Sequence, residues 1–115
     1  MSSMFRYLLL LCTSVVSLAQ DKSWTAPFPA HKIAGNLFYV GTEDLACFLI
    51  TTPQGHILIN SGLADSVPLI HDGVRKSGYK LEDVKILLTM QAHYDHVAGL
   101  AEIQKLTGAK VYATA

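Results

Sequence analysis

The sequence has 115 residues, of which 50% are hydrophobic and 16% are charged. This composition is typical of a small globular domain, or of part of a larger one, and it excludes an intrinsically disordered chain. Nine basic and nine acidic side chains balance one another. The charge therefore indicates neither nucleic acid nor an anionic membrane as the partner, and we expect a small-molecule ligand.

The first residues have the pattern of an export signal. A short start with Arg6 precedes the apolar run Tyr7–Val16, and Ser17-Leu18-Ala19 places small residues where a signal peptidase cleaves. The run is shorter than the roughly 20 residues that cross a bilayer, so no lasting membrane anchor is predicted. We therefore predict a signal peptide over residues 1–19 and an exported, periplasmic domain over residues 20–115.

Beyond the signal, the chain begins with an irregular segment and continues with three predicted strands. The segment "DKSWTAPFPAHKIAG" contains two prolines, which indicates an arm over the domain, with Trp24 and Phe28 as packing groups that border a substrate cleft. The stretches "NLFYVG", "ACFLITT" and "HILIN" are rich in β-branched and aromatic residues, and "PQG" predicts a tight turn between the last two. Three adjacent strands are therefore expected.

Single cysteines and scattered histidines in this part of the chain are interpreted as structural. Cleavage of the signal removes Cys12 and leaves Cys47 alone, so no internal disulfide forms. The apolar neighbours "LACFLI" predict a core position for Cys47 rather than a nucleophile. His31 in the arm, His56 in the hairpin turn and His71 on a helix are predicted to be surface residues.

The second half of the chain alternates helices and strands. Asp65 or Ser66 caps the first helix, with Pro68 in its first turn. "KILLTM" is predicted to be a buried strand and "KVYATA" the start of another. Between them, Gly99–Thr107 is predicted to be a helix with Leu100, Ile103 and Leu106 on one face and Gly108 as its stop.

The stretch "QAHYDHVAGL", residues 91–100, lies directly after the strand "KILLTM", where open α/β sheets gather their ligands. Its imidazoles and carboxylate are ligand types that zinc accepts. Residues two apart in an extended loop face the same way. Gln91 and His93 are thus expected to face one metal position, and Asp95 and His96 a second. A polar loop that binds nothing is the alternative.

These stretches, with "HILINSG" and "TGAKVYA", resemble the first half of the metallo-β-lactamase fold, whose signature is H-x-H-x-D-H. The opening "GNLFYVGTEDLACFLITTPQGHILINSG" is most similar to exported class B β-lactamases of the third subclass. The resemblance implies an α/β fold of the α+β sandwich type, namely the amino-terminal half of the αββα fold. Family members are longer, and their second half supplies one further histidine to each metal site. We therefore expect this chain alone to be an inactive fragment.

The resemblance also implies the roles of the motif residues. His93 corresponds to a ligand of the first zinc, and Asp95 and His96 correspond to ligands of the second. Asp95 would also orient the attacking water. Asn60 stands where many members have aspartate, and it is expected to support the candidate metal loop, which begins at Gln91, through hydrogen bonds.

Gln91 departs from the signature, because it replaces the first histidine. A glutamine oxygen is a weak neutral zinc ligand, so Gln91 is the less favoured candidate and the first site is expected to be impaired. The GOB-type branch of the third subclass carries glutamine at this place. One or two zinc ions are therefore implied, with the site of Asp95 and His96 favoured. A metal-poor paralogue is the alternative.

The function implied by the resemblance is zinc-dependent hydrolysis of the β-lactam ring of antibiotics, without a covalent enzyme intermediate. The substrate is then a small-molecule β-lactam. Related hydrolases of thioesters and lactones share the signature, so a thioesterase or lactonase of this fold is one alternative. A non-catalytic truncated remnant is another.

Overall fold

A computed structural model describes residues 21–114 of the protein. The predicted signal peptide, residues 1–19, lies outside the described residues. Over residues 21–114, no helix is both long enough and apolar enough to span a bilayer. The α-helices of this part of the chain are α1 Val67–Lys76, α2 Tyr94–Val97 and α3 Leu100–Thr107.

Six strands form one mixed sheet, and their order in space follows their order along the chain. They are β1 His31–Ala34, β2 Leu37–Tyr39, β3 Phe48–Ile50, β4 His56–Ile59, β5 Val84–Thr89 and β6 Lys110–Ala113. The first four strands pair antiparallel, whereas the β4–β5 and β5–β6 pairs are parallel. Parallel neighbours need a crossover, and α1 and α3 lie in the two crossover connections. The predicted α/β architecture is confirmed.

Strand β1 differs from the sequence prediction, which assigned His31–Ala34 to an irregular arm. The strand pairs antiparallel with β2, and Gly35 in the connecting turn has φ 53°. All four β1 residues are exposed. Because the strand buries neither face, its sequence lacks the apolar alternation that reveals a half-buried strand. The irregular segment therefore ends before His31.

One face of the sheet carries the core. Phe38, Leu49, Leu58 and Leu87 lie opposite one another in register across β2 to β5, and all four are buried. Helices α1 and α3 cover this row with their own buried residues, which are Val67, Ile70, Val74 and Ile103. Burial of each large aliphatic side chain contributes about 1.5–3 kcal/mol. The row therefore fixes both the strand register and the side on which the helices pack.

Helix α3 buries only part of its apolar face. Ile103 is fully buried, but Leu106, one turn further on, is 53% exposed. The helix ends at Thr107, where Gly108 takes a left-handed conformation with φ 68°. Leu106 lines a groove with Val67 instead of entering the core. The predicted apolar face of Leu100, Ile103 and Leu106 is therefore buried only in part.

The opposite face of the sheet is also apolar, but it is only partly covered. Two registered rows of side chains lie on it, and those of the three central strands are half-buried. The rows are Leu37, Ile50, Ile57 and Ile86, and Tyr39, Phe48, Ile59, Leu88 and Tyr112. An apolar sheet face of this kind favours a further layer packed against it.

The predicted core position of Cys47 is confirmed. The side chain is 1% exposed and belongs to the core cluster beneath α1. Burial raises the pKa of its thiol from 9.0 to about 12. Because the reactive thiolate is therefore scarce at neutral pH, this residue behaves as a small hydrophobic group.

The raised pKa of Cys47 makes the stability of the fold depend on pH in alkaline solution. Between pH 9 and about 12 the unfolded thiol has lost its proton and the folded thiol still holds it. The unfolded state then binds fewer protons, so the free energy of unfolding should fall as the pH rises through this window. Urea denaturation at neutral pH and at a pH inside the window measures the fall.

The control for this experiment is Cys47→Ala, because other groups with raised pKa values, such as Tyr39, act in the same direction in both proteins. The variant should lose less stability than the parent between the two pH values. Equal losses in the parent and the variant would contradict the role assigned to the thiol.

Candidate metal centre

The segment that follows β5, residues 90–99, carries the candidate ligands and is called the metal segment below. It is extended at first and then helical. His93 is extended, with φ −69° and ψ 142°, and it precedes helix α2. The helical turn is closed by hydrogen bonds from His96 N–H to the carbonyl of His93, 2.9 Å, and from Ala98 N–H to the carbonyl of Tyr94, 3.0 Å. The predicted extended loop therefore ends at His93, and Asp95 and His96 lie on a helix.

Three of the predicted residues meet at one imidazole nitrogen. His96 Nε2 lies 2.8 Å from the amide nitrogen of Gln91 and 3.4 Å from Asp95 Oδ2. The side chains of His96 and Asp95 are 21% and 29% exposed. Gln91 thus contacts His96, although its place in the sequence predicts that it faces the same metal position as His93.

His93 stands apart from these three side chains. It is exposed, and none of the side-chain hydrogen bonds of the described residues links it to Gln91, Asp95 or His96. Within residues 21–114, no three His, Cys, Asp or Glu side chains come close enough together to hold a metal ion by themselves. The assembled group is therefore one histidine, one carboxylate and one amide.

The donor atoms of this group fit zinc in chemical type. An imidazole nitrogen and a carboxylate oxygen are standard zinc ligands. A half-turn about the last side-chain bond of Gln91 exchanges the positions of its amide nitrogen and its carbonyl oxygen. The nitrogen donates hydrogen bonds, whereas the oxygen is an acceptor. Catalytic zinc usually has three protein ligands and one open position. The group accordingly supplies two strong donors and one weak one.

Asn60 joins the end of β4 to the start of the metal segment. Its side-chain oxygen accepts a hydrogen bond from Met90 N–H, 3.3 Å, and its amide nitrogen donates to the carbonyl of Ala46, 3.5 Å. The residue is buried and has φ 65°, a left-handed conformation that asparagine adopts more readily than most residues. Asn60 therefore determines where the chain leaves β5.

Ser61 and Gly62 contact the far side of the metal segment, although neither was predicted from the sequence to be a functional residue. The backbone N–H and the hydroxyl of Ser61 both donate to the carbonyl of His96, at 3.0 and 3.1 Å. Gly99 N–H donates to the carbonyl of Gly62, 3.2 Å. No local pattern reveals these contacts, because Ser61 and His96 are 35 positions apart.

The other histidines have structural positions. His31 is exposed and stacks on Tyr39 with ring centroids 5.5 Å apart. His71 lies half-exposed on α1, 3.6 Å from a carboxylate oxygen of Glu82. His56 is only 8% exposed, and its Nδ1 accepts a hydrogen bond from Thr52 N–H, 3.2 Å. The surface position predicted for His56 was wrong, because the residue begins β4 and points to the helix-covered face.

Trp24 and Phe28 make their contacts away from the metal segment. The carbonyl of Trp24 accepts a hydrogen bond from the Thr42 hydroxyl, 2.8 Å, which attaches the arm to the domain. Phe28 lines a cavity of about 370 Å³ between the arm and α1. None of the residues that line this cavity belongs to the segment from Met90 to Val97.

Comparison with known proteins gives both a family match and close structural matches. A family model described as the metallo-beta-lactamase superfamily matches residues 41–115. The class B3 di-zinc metallo-beta-lactamase LRA-12, from an Alaskan soil metagenome, is 54% identical to this chain. The match covers 80% of this chain and 35% of that chain, with a TM-score of 0.78.

Two further solved structures have similar values. The metallo-beta-lactamase GOB-18 from Elizabethkingia meningoseptica is 48% identical over 81% of this chain and 34% of that chain, with a TM-score of 0.80. The metallo-beta-lactamase FEZ-1 from Legionella gormanii is 55% identical over 75% of this chain and 33% of that chain, with a TM-score of 0.74. This chain therefore spans about a third of the length of the proteins it matches.

The hydrogen bonds of Asn60 predict a specific effect of its substitution. Asn60→Gly removes both side-chain bonds but accepts the left-handed conformation, so it should cost about 1–3 kcal/mol of stability for the lost buried hydrogen bonds. The amide of Met90 should also exchange faster with solvent deuterium. Chemical denaturation and hydrogen exchange measure the two effects.

Asn60→Asp is the matched control for this prediction. It keeps a side-chain oxygen for Met90 N–H and replaces the donor to Ala46 with a second carboxylate oxygen, so protection of the Met90 amide should persist. Unchanged Met90 exchange in Asn60→Gly would show that the side chain does not hold the metal segment.

Proposed function

The chain belongs to the metallo-β-lactamase superfamily, and we propose on that premise that the full-length protein is a zinc-dependent hydrolase of the β-lactam amide bond. The observation that carries the proposal is the meeting of Asp95, His96 and Gln91 at the carboxyl end of β5. The identity of 48–55% to metallo-β-lactamases supports the same substrate class. The family resemblance predicted from the sequence is thereby confirmed.

The residues of the site have distinct roles in this proposal. His96 and Asp95 would hold one zinc ion, Gln91 would be a weak third donor, and His93 would serve a second position. When bound, zinc supplies Lewis acidity, which lowers the pKa of a water molecule and polarises a carbonyl group. The Asp95 carboxylate is partly exposed, so it can also accept a hydrogen bond from water and orient that water toward the substrate.

Two further residues hold the backbone that carries these side chains. Asn60 bonds the first residue of the metal segment, and Ser61 bonds the backbone of His96. The described residues supply only part of a ligand set, so further ligands in the full-length protein belong to the proposal. One or two zinc ions per protein are proposed, with the position of Asp95 and His96 occupied first.

Export to the periplasm is also part of the proposal. It is supported by the sequence of residues 1–19, in which a basic start, an apolar run and small residues follow in order. The small-molecule substrate would then reach the enzyme outside the cytoplasm. Neither nucleic acid nor a lasting membrane anchor is proposed, since the formal charge is balanced and the apolar run is short.

The proposal predicts that the full-length protein hydrolyses penicillins, cephalosporins or carbapenems, and that chelation abolishes this activity. Loss of β-lactam absorbance, followed before and after treatment with EDTA and after return of zinc, is the measurement. A thioester and a lactone are tested in parallel. Turnover of either one without turnover of any β-lactam would assign the protein to another hydrolase group of the same fold. Absence of all turnover, with zinc supplied, would indicate a non-catalytic remnant.

A second prediction concerns Asp95. Asp95→Ala in the full-length protein should remove a metal ligand and the carboxylate that orients water, with a loss of kcat/KM on the order of 100-fold or more. Steady-state kinetics and elemental analysis of zinc measure the two consequences together.

Asp83→Ala is the matched control, because Asp83 is exposed and precedes β5 at the end opposite to the metal segment. It should leave both activity and metal content close to those of the parent. Near-parental turnover in Asp95→Ala would remove Asp95 from the metal site.

A further inference from the structure

Building on the proposed function, we infer that Ser61 is a positioning residue for the metal site. Its hydroxyl and its backbone N–H both donate hydrogen bonds to the carbonyl oxygen of His96, at 3.1 and 3.0 Å. The two bonds fix the backbone from which the His96 imidazole projects. Ser61 therefore acts on the metal through His96 and does not touch it.

These two hydrogen bonds are important because α2 is short. A helix of four residues leaves the carbonyl groups of its last residues, that of His96 among them, without partners inside the helix. Ser61 supplies two donors to one of these carbonyls, and it comes from a turn that is itself buried, with Ser61 fully excluded from solvent. A buried hydrogen bond of this kind resists exchange with water, so the position of His96 is set before any ligand arrives.

Close backbone packing beside Ser61 completes the attachment. Gly99 N–H bonds to the carbonyl of Gly62, 3.2 Å. A Cβ atom at residue 99 would lie 2.7 Å from the carbonyl oxygen of Ser61 and 2.8 Å from a methyl carbon of Val67. Only glycine allows the chain to come this near. The turn after β4 and the segment after β5 therefore form one packed unit, and Ser61 supplies the polar contact at its centre.

Ser61→Ala isolates the hydroxyl from the rest of the unit. The variant keeps the Ser61 backbone donor, so the carbonyl of His96 is not left without a partner. It also adds no atom to the tightly packed turn. The variant should fold, and its effect should reach the orientation of His96.

Ser66 provides the matched control. It too is fully buried, and its hydroxyl accepts from Leu63 N–H, 3.2 Å, and donates to the carbonyl of Trp24, 3.5 Å. Its hydrogen bonds do not involve the metal segment. Ser66→Ala therefore removes a buried hydroxyl from the same region without releasing His96.

The test compares the full-length parent with Ser61→Ala and Ser66→Ala in three measurements. Competition with a chromogenic chelator gives the zinc dissociation constant, the visible spectrum of the cobalt(II)-substituted protein reports ligand geometry, and hydrogen exchange without metal reports the backbone. We expect Ser61→Ala to raise the zinc dissociation constant about 10-fold, which is typical when a partner of a metal ligand is lost. The cobalt spectrum should change, and exchange should accelerate at Ala98 and Gly99. Ser66→Ala should show none of these changes, although both variants lower the melting temperature.

Two outcomes would overturn the inference. In the first, Ser61→Ala and Ser66→Ala have the same zinc affinity and cobalt spectrum, which would reduce Ser61 to a structural role. In the second, exchange at Ala98 and Gly99 does not respond to Ser61→Ala. A parent that binds no zinc would instead overturn the proposed function, and the metal-free exchange measurement would still decide whether Ser61 holds the segment.

Discussion

The parallel pairing of β4 and β5 is the constraint on which the rest of the structure depends. Because both strands run the same way, with Ile59 opposite Leu88, the residues that follow each strand emerge at one edge of the sheet. Asn60 and Ser61 leave β4 there, and the metal segment leaves β5 beside them. The pairing in turn requires the α1 crossover, whose buried face packs on the same side of the sheet as α3. Core, crossover and site are thus consequences of one strand arrangement.

Much of this fold follows from the sequence, since its central elements bury one face. Strands β2 to β5 and the two longer helices have apolar residues at the spacing of their secondary structure, and these were predicted correctly. Strand β1 and helix α2 escape such reasoning because they bury nothing. The exposure of Leu106 and the burial of His56 likewise do not follow from the spacing of apolar residues. Their burial depends on where a helix ends and on which face a strand's first residue points.

For the site as well, the sequence predicts the chemistry of the residues but not how they are grouped. Residue types alone identify the candidate ligands, because the imidazole and carboxylate side chains that follow the buried strand are ligand types that zinc accepts. Their grouping was not predictable, since a helical turn at Tyr94 brings His96 to Gln91 and leaves His93 outside. No sequence pattern around Ser61 predicts its contact with His96. A serine can position a metal ligand in this way only when the backbone of a segment distant in sequence packs against the serine hydroxyl.

The hydrogen bond from Ser61 N–H to His96 also bears on the chemical ageing of the chain. Deamidation of an asparagine begins when the backbone nitrogen of the next residue attacks the side-chain carbonyl. For Asn60 that nitrogen belongs to Ser61, and its N–H is held by the carbonyl of His96 at 3.0 Å. The amide oxygen of Asn60 is meanwhile occupied by Met90 N–H. The folded protein thereby shields Asn60 from slow deamidation, whose isoaspartate product would insert an extra backbone atom at the edge that supports the site.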